Sequence, residues 1–458
     1  MISNTNEGTR EFNIASPPIW DIDNIQWDAI KAIKVSDSGS NGVIFIETLF
    51  GAVAVKGSTD PCVEYLGYQL FKALNIAVPE MRVYEWVDPE YNKIVEALEK
   101  FGYEDRGLWS RISPRIKTPF LYVMEYIAGN DLYLMSYKKS SKYLDPNTPE
   151  GKNRLIKFGM IVATDTLTNV YDRYPMIWDN DGNFENLIFA FKTNFHTTAE
   201  EIKDPNNVTL EMKDLYAIDN RIVLFNNDSK IAKQNYDRYM ARLSKCIQDI
   251  IEYLKQIRNS STDLKKVEKN CERLKQIVSI INETTGYCLI PQGEFYIATG
   301  MCIGWINGID LPFDKVQKIY DDLAIFPKDD YMNGWAEGFK TININMFADT
   351  QKVAKDIIGD VDGWVEWLTQ YASKEHFIRF NDEKKNMSRK KLISDMSDEE
   401  LFEHFGTNHE EIKYYLELSQ IMANRVNEEK KIEEQELEEI EELNEAGRKM
   451  HLANKNVR

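Results

Sequence analysis

The strongest constraint on the fold of this chain comes from three polar residues, each of which lies at the end or the start of an apolar segment. They are Asp172, Asn186 and Asp219. Asp172 follows an apolar helix predicted over residues 152–169, and Pro175 prevents that helix from continuing. Asn186 then precedes a short apolar strand, and Asp219 ends another. This order is the one needed to set one carboxylate beside a nucleophilic hydroxyl and two oxygen ligands on a metal–phosphate complex. The sequence therefore predicts a kinase-like phosphotransfer fold.

Each of these residues has a predicted role in phosphoryl transfer. Asp172 would orient the attacking hydroxyl and take its proton late in the reaction. The amide oxygen of Asn186 and the carboxylate of Asp219 would hold Mg²⁺, with Asp219 as the main ligand bridging phosphate oxygens. Two interpretations stay open for Arg173: it supports the catalytic loop, or it neutralises phosphate charge. Residues 175–185 are expected to form a hairpin with an Asp-Gly turn.

The N-terminal part of the chain predicts an antiparallel meander of strands. β-Branched runs over residues 32–35, 43–48 and 52–56 are separated by turns rich in Gly, Asn and Ser. The first turn would expose several backbone N–H groups and hydroxyls to phosphate, although an ordinary turn has the same composition. The residues of this candidate phosphate lid are Ser38, Gly39, Ser40, Asn41 and Gly42.

Lys56 ends an apolar strand, where a cationic head needs a partner. Pro61 then opens an amphipathic helix, and Glu64 lies in its first turn. An ion pair with Glu64 would orient the Lys56 ammonium onto phosphate oxygens. The alternative is a solvated Glu64 that only favours the helix dipole. We favour the ion pair because the downstream residues also predict a phosphate site.

The segment after residue 119 predicts the hinge between two lobes. Residues 120–124 form a buried strand, and a glycine-containing exit follows at Gly129. In a bilobal kinase body, the backbone of Glu125, Tyr126 and Ile127 would pair with the adenine edge. An ordinary central strand has the same local sequence, so this interpretation depends on the flanking elements.

Composition argues against several classes of protein. The formal charge of −18, from 56 basic and 74 acidic residues, argues against a general binder of nucleic acid or acidic membranes. Five widely spaced cysteines without a C-x-x-C pair predict reduced thiols, and the five histidines show no metal-binding spacing. The polar N-terminus lacks a signal core, and the apolar runs are too short to span a bilayer. We therefore expect a cytoplasmic protein.

Four stretches carry a resemblance to a known family: residues 38–42, 53–58, 76–79 and, above all, 169–178. The last of them reads Asn169-Val170-Tyr171-Asp172-Arg173-Tyr174-Pro175-Met176-Ile177-Trp178. On these residues, the run from Ser36 to Arg221 resembles the catalytic domain of the actin-fragmin kinase family of atypical protein kinases. The order Asp-Arg, Asn and Ile-Asp is also similar to that of phosphoinositide 3-kinase-like enzymes.

The resemblance implies an α+β, bilobal protein-kinase-like fold, with an antiparallel sheet in the N-lobe and a mainly helical C-lobe. It further implies ATP and Mg²⁺ as cofactors and serine/threonine phosphorylation of a protein substrate. Actin or an actin complex is the substrate that the family suggests, and another cytoskeletal protein is the alternative. The sequence does not indicate the oligomeric state.

This sequence departs from kinase patterns in several places. Asp219-Asn220-Arg221 stands where kinases have Asp-Phe-Gly, and no Ala-Pro-Glu follows, so ordinary activation-loop regulation is not expected. Tyr174 stands where the lipid-kinase-like pattern has His. After residue 230 the chain lacks the 50-residue, Gly-rich β repeat of kelch domains, so actin as substrate rests on the family alone.

The sequence also predicts a division of the chain into five parts. They are an N-terminal arm (1–28), an N-lobe with the hinge (29–130), a C-lobe (131–308), a helical accessory region (309–427) and an acidic helical tail (428–458). Residues 133–150 are expected to be a polar linker. Two other functions stay open: a pseudokinase or scaffold that binds partners through the helical C-terminal region, and a kinase-fold enzyme that transfers AMP.

Overall fold

A computed structural model describes residues 11–36, 42–103, 105–194, 196–225, 229–259, 271–324, 339–340, 342–380 and 397–405, and the single residues 408, 410 and 413. Four residues of the candidate phosphate lid, 38–41, lie outside the described residues, as does the predicted acidic tail over 428–458.

The N-terminal lobe is built on a five-stranded antiparallel sheet. Its strands are β1 (Ile30–Val35), β2 (Ile44–Thr48), β3 (Gly51–Ser58), β4 (Met81–Glu85) and β5 (Phe120–Glu125), and their order is β1-β2-β3-β5-β4. The predicted meander is confirmed, because β1, β2 and β3 pair in succession. Helix α1 (Cys62–Ala73) connects β3 to β4.

Each face of this sheet is covered by helices. One face packs against α2 (Pro89–Tyr103) and α3 (Arg106–Ile116), which are inserted between β4 and β5. The opposite face belongs to the larger core of the molecule, which α1 shares with the helical lobe. The N-terminal arm packs on the sheet as well: Trp27 is buried in the first of these cores and donates its Nε1–H to Glu90 Oε1 at 2.6 Å.

A three-stranded antiparallel sheet lies below the hinge. It consists of β6 (Gly129–Asp131), β7 (Leu187–Phe191) and β8 (Met212–Ala217), in that order. Strand β7 begins directly after Asn186, and β8 ends two residues before Asp219. The start of β7 pairs with the end of β8, where Leu187 is opposite Ala217. Both candidate metal ligands are thereby placed at one end of the same strand pair.

The second lobe is mainly helical, so the α+β, bilobal kinase-like fold is confirmed. Its helices are α4 (Tyr137–Tyr143), α5 (Pro149–Thr168), α6 (Ala199–Lys203), α7 (Lys230–Asn259), α8 (Glu272–Thr285), α9 (Pro291–Asp310), α10 (Phe313–Ala324), α11 (Asn345–Ile358), α12 (Val361–Leu368) and α13 (Asp398–Phe405). In the described part of the chain, no helix has both the length and the apolar character needed to cross a membrane.

Helices α5 and α9 form the centre of this lobe and pack unusually closely. A Cβ on Gly159 would lie 2.0 Å from the Ile297 carbonyl oxygen, and a Cβ on Gly300 would lie 1.9 Å from that of Ile156. These glycines therefore let the two backbones touch. Helices α10 to α12, in the predicted accessory region, contribute buried residues to this same core. The boundary at residue 309 stays a prediction.

Two local predictions are wrong. The expected linker over residues 133–150 contains helix α4, which Ser136 caps through a hydrogen bond from Lys139 N–H to its Oγ at 3.2 Å. The expected hairpin over residues 175–185 is a run of turns and bends instead of paired strands. Its Trp178 side chain packs against Tyr239 and donates to Asn169 Oδ1, and this packing replaces strand pairing.

Candidate active site

Lys56 lies at the centre of the candidate site. From β3 its Nζ reaches Glu64 of α1, at 3.1 and 2.9 Å from the two carboxylate oxygens. The same Nζ lies 3.0 Å from Asp219 Oδ1, beyond the end of β8. The ion pair predicted between Lys56 and Glu64 is thus present, and the alternative of a solvated Glu64 is wrong because that residue is 7% exposed.

Burial and charge act in opposite directions on these three groups. Burial lowers the pKa of Lys56, but the carboxylates of Glu64 and Asp219 outweigh it and raise the pKa to about 12. Burial raises the pKa of Glu64 to about 7 against the attraction of Lys56. For Asp219, burial is outweighed by Lys56, and the pKa is lowered. Asp219 is therefore ionised at neutral pH, which is the form of a carboxylate that binds a metal ion.

Asp172 follows the end of α5, although the helix ends for a different reason from the one predicted. The left-handed conformation of Asn169, at φ 55°, terminates the helix well before Pro175. Asp172 Oδ1 is buried and has no hydrogen-bond partner within the described ranges. Burial raises the pKa of this carboxyl, Arg173 opposes the rise, and Asp219 adds to it. Asp172 therefore keeps a buried acceptor oxygen without a partner, which is uncommon in folded proteins and marks this residue as a candidate for function.

Asn186 is held beside the end of β8 by its backbone. Its carbonyl oxygen accepts hydrogen bonds from Ile218 N–H at 3.0 Å and from Arg173 Nε at 3.2 Å. The side chain is buried, and its Nδ2 finds no hydrogen-bond partner among the residues that the structure describes. The backbone hydrogen bonds thus fix the position of Asn186, while its side-chain Nδ2 makes no hydrogen bond to the described residues.

Arg173 does not reach the cleft, because its side chain is fully buried. Its guanidinium contacts the carboxylate of Asp165 on α5, the Ile218 carbonyl at 2.8 Å and the side chain of Asn220. This geometry favours the interpretation in which Arg173 supports the catalytic loop and disfavours the neutralisation of phosphate charge. One buried cation connects the segments that carry Asp172, Asn186 and Asp219.

Asn220 and Gly67 take part in the site, and the sequence did not reveal either of them. Asn220 Nδ2 donates to the Ala217 carbonyl at 3.1 Å. Asp219, which lies between these two residues in the chain, adopts a left-handed conformation at φ 53°. A Cβ on Gly67 of α1 would lie 1.7 Å from the Asn220 carbonyl oxygen. Helix α1 therefore touches the segment that replaces Asp-Phe-Gly. The glycine in an otherwise apolar helix was the available signal.

At the hinge, two of the three predicted backbone N–H groups are already used. Glu125 N–H donates to the Glu80 carbonyl at 2.9 Å, and Tyr126 N–H donates to the Ala52 carbonyl at 3.2 Å. The Tyr126 hydroxyl donates to the Ile14 carbonyl at 2.8 Å, so this side chain faces the N-terminal arm. The N–H of Ile127 is the remaining one of the three predicted donors.

The remaining part of the candidate phosphate lid is Gly42, which has φ 64°. A Cβ at this position would lie 2.2 Å from Arg115 Nε, so the side chain of Arg115 from α3 lies directly against Gly42. Helices α2 and α3 cover one face of the N-lobe sheet, and Arg115 of α3 contacts Gly42, the last residue of the candidate lid.

The donor set fits magnesium better than a transition metal. Within the described residues, no group of three or more His, Cys, Asp or Glu side chains could hold a metal ion. Asn186 and Asp219 offer amide and carboxylate oxygens, which suit Mg²⁺, an ion that keeps several waters and binds phosphate oxygens. All five cysteines are free, as predicted, and Cys288 alone among them is exposed.

Comparison with known proteins points to one family. The family model described as actin-fragmin kinase, catalytic, matches residues 4–305, which is more than half of the chain. A Dictyostelium discoideum protein named "Putative actin-fragmin kinase" is 22% identical over 338 residues, covering 71% of this chain and 72% of the relative. A second Dictyostelium discoideum protein with the same name is 25% identical over 122 residues, covering 26% of this chain and 22% of that relative.

Proposed function

Because this chain belongs to the actin-fragmin kinase catalytic family, we propose that it is an ATP- and Mg²⁺-dependent protein serine/threonine kinase. The observation that carries the proposal is the position of Lys56 between Glu64 and Asp219, with the partnerless Asp172 oxygen on the adjoining loop. Kinases use a lysine to bind the phosphates, a carboxylate to hold the metal ion and a second carboxylate to orient the attacking hydroxyl.

Nucleotide binding is assigned to the cleft between the lobes. Lys56, oriented by Glu64, binds phosphate oxygens, and the backbone N–H of Ile127 pairs with the adenine edge. The phosphate contact of residues 38–42 stays a proposal from the sequence of this turn, of which the structure describes Gly42. Asn186 and Asp219 hold Mg²⁺, which supplies neutralisation of the phosphate charge when bound.

Phosphoryl transfer is assigned to Asp172. Its carboxylate accepts a hydrogen bond from the substrate hydroxyl and aims the hydroxyl oxygen at the γ-phosphorus. Proton transfer to the carboxylate follows late, because most of the catalysis comes from positioning and charge stabilisation. Arg173 acts through Asp172 and Asn186 and is a positioning residue.

The proposed substrate is a protein, with actin or an actin complex as the first candidate and another cytoskeletal protein as the second. Actin enters only through the names of the family and of its members. The charge of −18 supports a protein that binds neither nucleic acid nor acidic membranes. The proposed cytoplasmic location rests on the polar N-terminus and the reduced cysteines instead. The proposed lobes are residues 29–130 and 131–308.

The test is transfer from labelled ATP to purified actin and to the proteins of a cell extract. Asp172→Asn keeps the shape of the side chain and removes the base, so we expect the rate to fall by about 10²-fold or more. The matched control is Asp179→Asn on the same segment, whose carboxylate is 92% exposed and pairs with Arg242. This control should keep the wild-type rate.

The position of the label separates the proposal from the other two functions. Transfer from γ-labelled ATP supports a kinase, whereas transfer only from α-labelled ATP indicates AMP transfer. No transfer together with no stabilisation by Mg-ATP indicates a scaffold. Equal rates for wild type and Asp172→Asn would contradict the assignment of Asp172.

A further inference from the structure

The chain beyond the family match returns to the helix that carries Glu64. The family model ends at residue 305, inside α9, and α10 follows from Phe313. Helix α10 packs against α1. The Tyr320 ring of α10 packs against the large core to which Cys62 and other residues of α1 belong, and its centroid lies 4.3 Å from that of Phe339. Residues outside the family match thus pack on α1.

The C-terminal end of α1 is held by a second contact from the same region. Asn75 follows the helix in a left-handed conformation, at φ 64°. Its Nδ2 donates to the Glu375 carbonyl at 2.8 Å, between residues that are 300 positions apart in the chain. Glu375 belongs to a short 3-10 helix, Lys374–His376. Helix α1 is therefore packed on by α10 and held beyond its C-terminal end by Glu375, and both elements follow α9.

A third contact reaches the segment after Asp219. Ile222 is buried beside Gly67 of α1. The Leu224 carbonyl accepts a hydrogen bond from Asn343 N–H at 3.2 Å, and Phe225 N–H donates to Met346 Sδ at 3.2 Å. The residues around the start of α11 thus fix the exit of the chain from the site.

We propose that these three groups of residues form an in-chain brace that positions α1, so that Glu64 meets Lys56 without a regulatory partner or a phosphorylated activation loop. The brace comprises α10, residues 342–346 and residues 374–376. Its role as a positioning element rests on the proposed kinase function. The physical reason is that Glu64 is buried, so the loss of its partner would leave an uncompensated polar group.

The test compares two tyrosines of the same region in the full-length protein. Tyr320→Ala removes a half-buried ring of α10, the helix that packs against α1. Tyr371→Ala removes another half-buried ring, which packs on Phe295 of α9. A purely structural role would give both variants the same phenotype, whereas a positioning role affects catalysis only at Tyr320.

Two readouts are measured well below the unfolding temperature of each variant. We expect Tyr320→Ala to lower kcat by about 10- to 100-fold, because misplacing a catalytic group by 1 Å has effects of this size. The thiol of Cys62, which is fully buried, should react with iodoacetamide at least about tenfold faster, since local opening exposes it. Tyr371→Ala should change neither quantity, and Tyr320→Phe should restore both.

Any other pattern overturns the brace. Unchanged kcat, equal losses in the two variants, or loss of kcat with Cys62 still protected would each show that α10 does not act through α1. If Tyr320→Ala fails to fold, Asn75→Gly replaces it, because glycine keeps the left-handed backbone and removes only the bond to Glu375. A wild-type protein without phosphotransfer would contradict the kinase function alone, since Cys62 labelling still reports whether α10 holds α1.

Discussion

At Lys56, one ammonium group serves two carboxylates that come from different elements. The side chains of Lys56 and Glu64 are 18% and 10% exposed, so their pairing is weakly screened. Asp219, at 44% exposed, is the member that a ligand can reach. The cation therefore has a structural partner on one side and an accessible partner on the other.

The pairing of Lys56 makes a prediction about stability at alkaline pH. The folded pKa of about 12 exceeds the reference value of 10.5, so stability is full below 10.5 and is lost as pH rises toward 12. The shift corresponds to about 2 kcal/mol. The free energy of unfolding, measured in urea from pH 9 to 12, should therefore fall by about 2 kcal/mol more in wild type than in Lys56→Met.

A control for this titration is Lys245→Met, which removes an exposed pair with Asp249 one helical turn away. Its pH dependence should match that of wild type, because tyrosines and cysteines titrate equally in both. A wild-type slope equal to that of Lys56→Met would show that the carboxylates do not hold the proton on Lys56.

Most single residues of the candidate site could be predicted, because each has a local sign. Lys56, Asn186 and Asp219 adjoin apolar strands, where a polar group needs a hydrogen-bond or charged partner to offset its burial. Asp165 and Asn220 had no such sign. Asp165 lies within the apolar helix α5, and its role depends on Arg173, which only the tertiary fold brings into contact.

Among the elements, α1 connects the most parts of the site. It carries Glu64 in its first turn, and one turn later Gly67 touches Asn220. Sequence periodicity predicted the helix and its apolar face. It did not predict which segment the glycine approaches, because such a contact depends on the packing of distant elements.

This contact makes Gly67→Ala a test of the element as a whole. The added methyl would lie 1.7 Å from the Asn220 carbonyl, so α1 must move away from the Asp219 segment. We expect the shift to weaken the Lys56–Glu64 pair, raise the KM for ATP and lower kcat by about 10-fold or more. Steady-state kinetics with varied ATP measure both quantities.

Gly107→Ala is the matched control, since its added methyl meets only Asp105 Oδ1, at 3.2 Å, near the start of α3. This variant should keep wild-type KM and kcat. Unchanged kinetics in Gly67→Ala would mean that α1 and the Asp219 segment can separate without disturbing the site.

On the scale of the whole molecule, the two lobes and their order could be predicted, whereas the C-terminal packing could not. The periodicity of apolar residues predicts strands in the N-terminal part of the chain and helices in the later part, and these two regions correspond to the two lobes. The bond between Asn75 and Glu375 joins residues 300 positions apart, and no local pattern encodes it. For this reason the sequence did not show that α10 to α12 contribute to the core of the C-lobe, while the boundary at residue 309 stays a prediction.

A nucleotide that binds between the lobes should stabilise the whole molecule in a magnesium-dependent manner. At 100 times the dissociation constant, a ligand that binds only the folded state adds about 2.7 kcal/mol. We expect a non-hydrolysable ATP analogue with Mg²⁺ to raise the unfolding temperature more than the analogue with EDTA. Asp219→Ala should abolish the difference between the two conditions, because it removes the main proposed ligand, while Asp179→Ala should preserve it. If the analogue stabilised wild type equally with and without Mg²⁺, Asp219 would have no role in binding the metal.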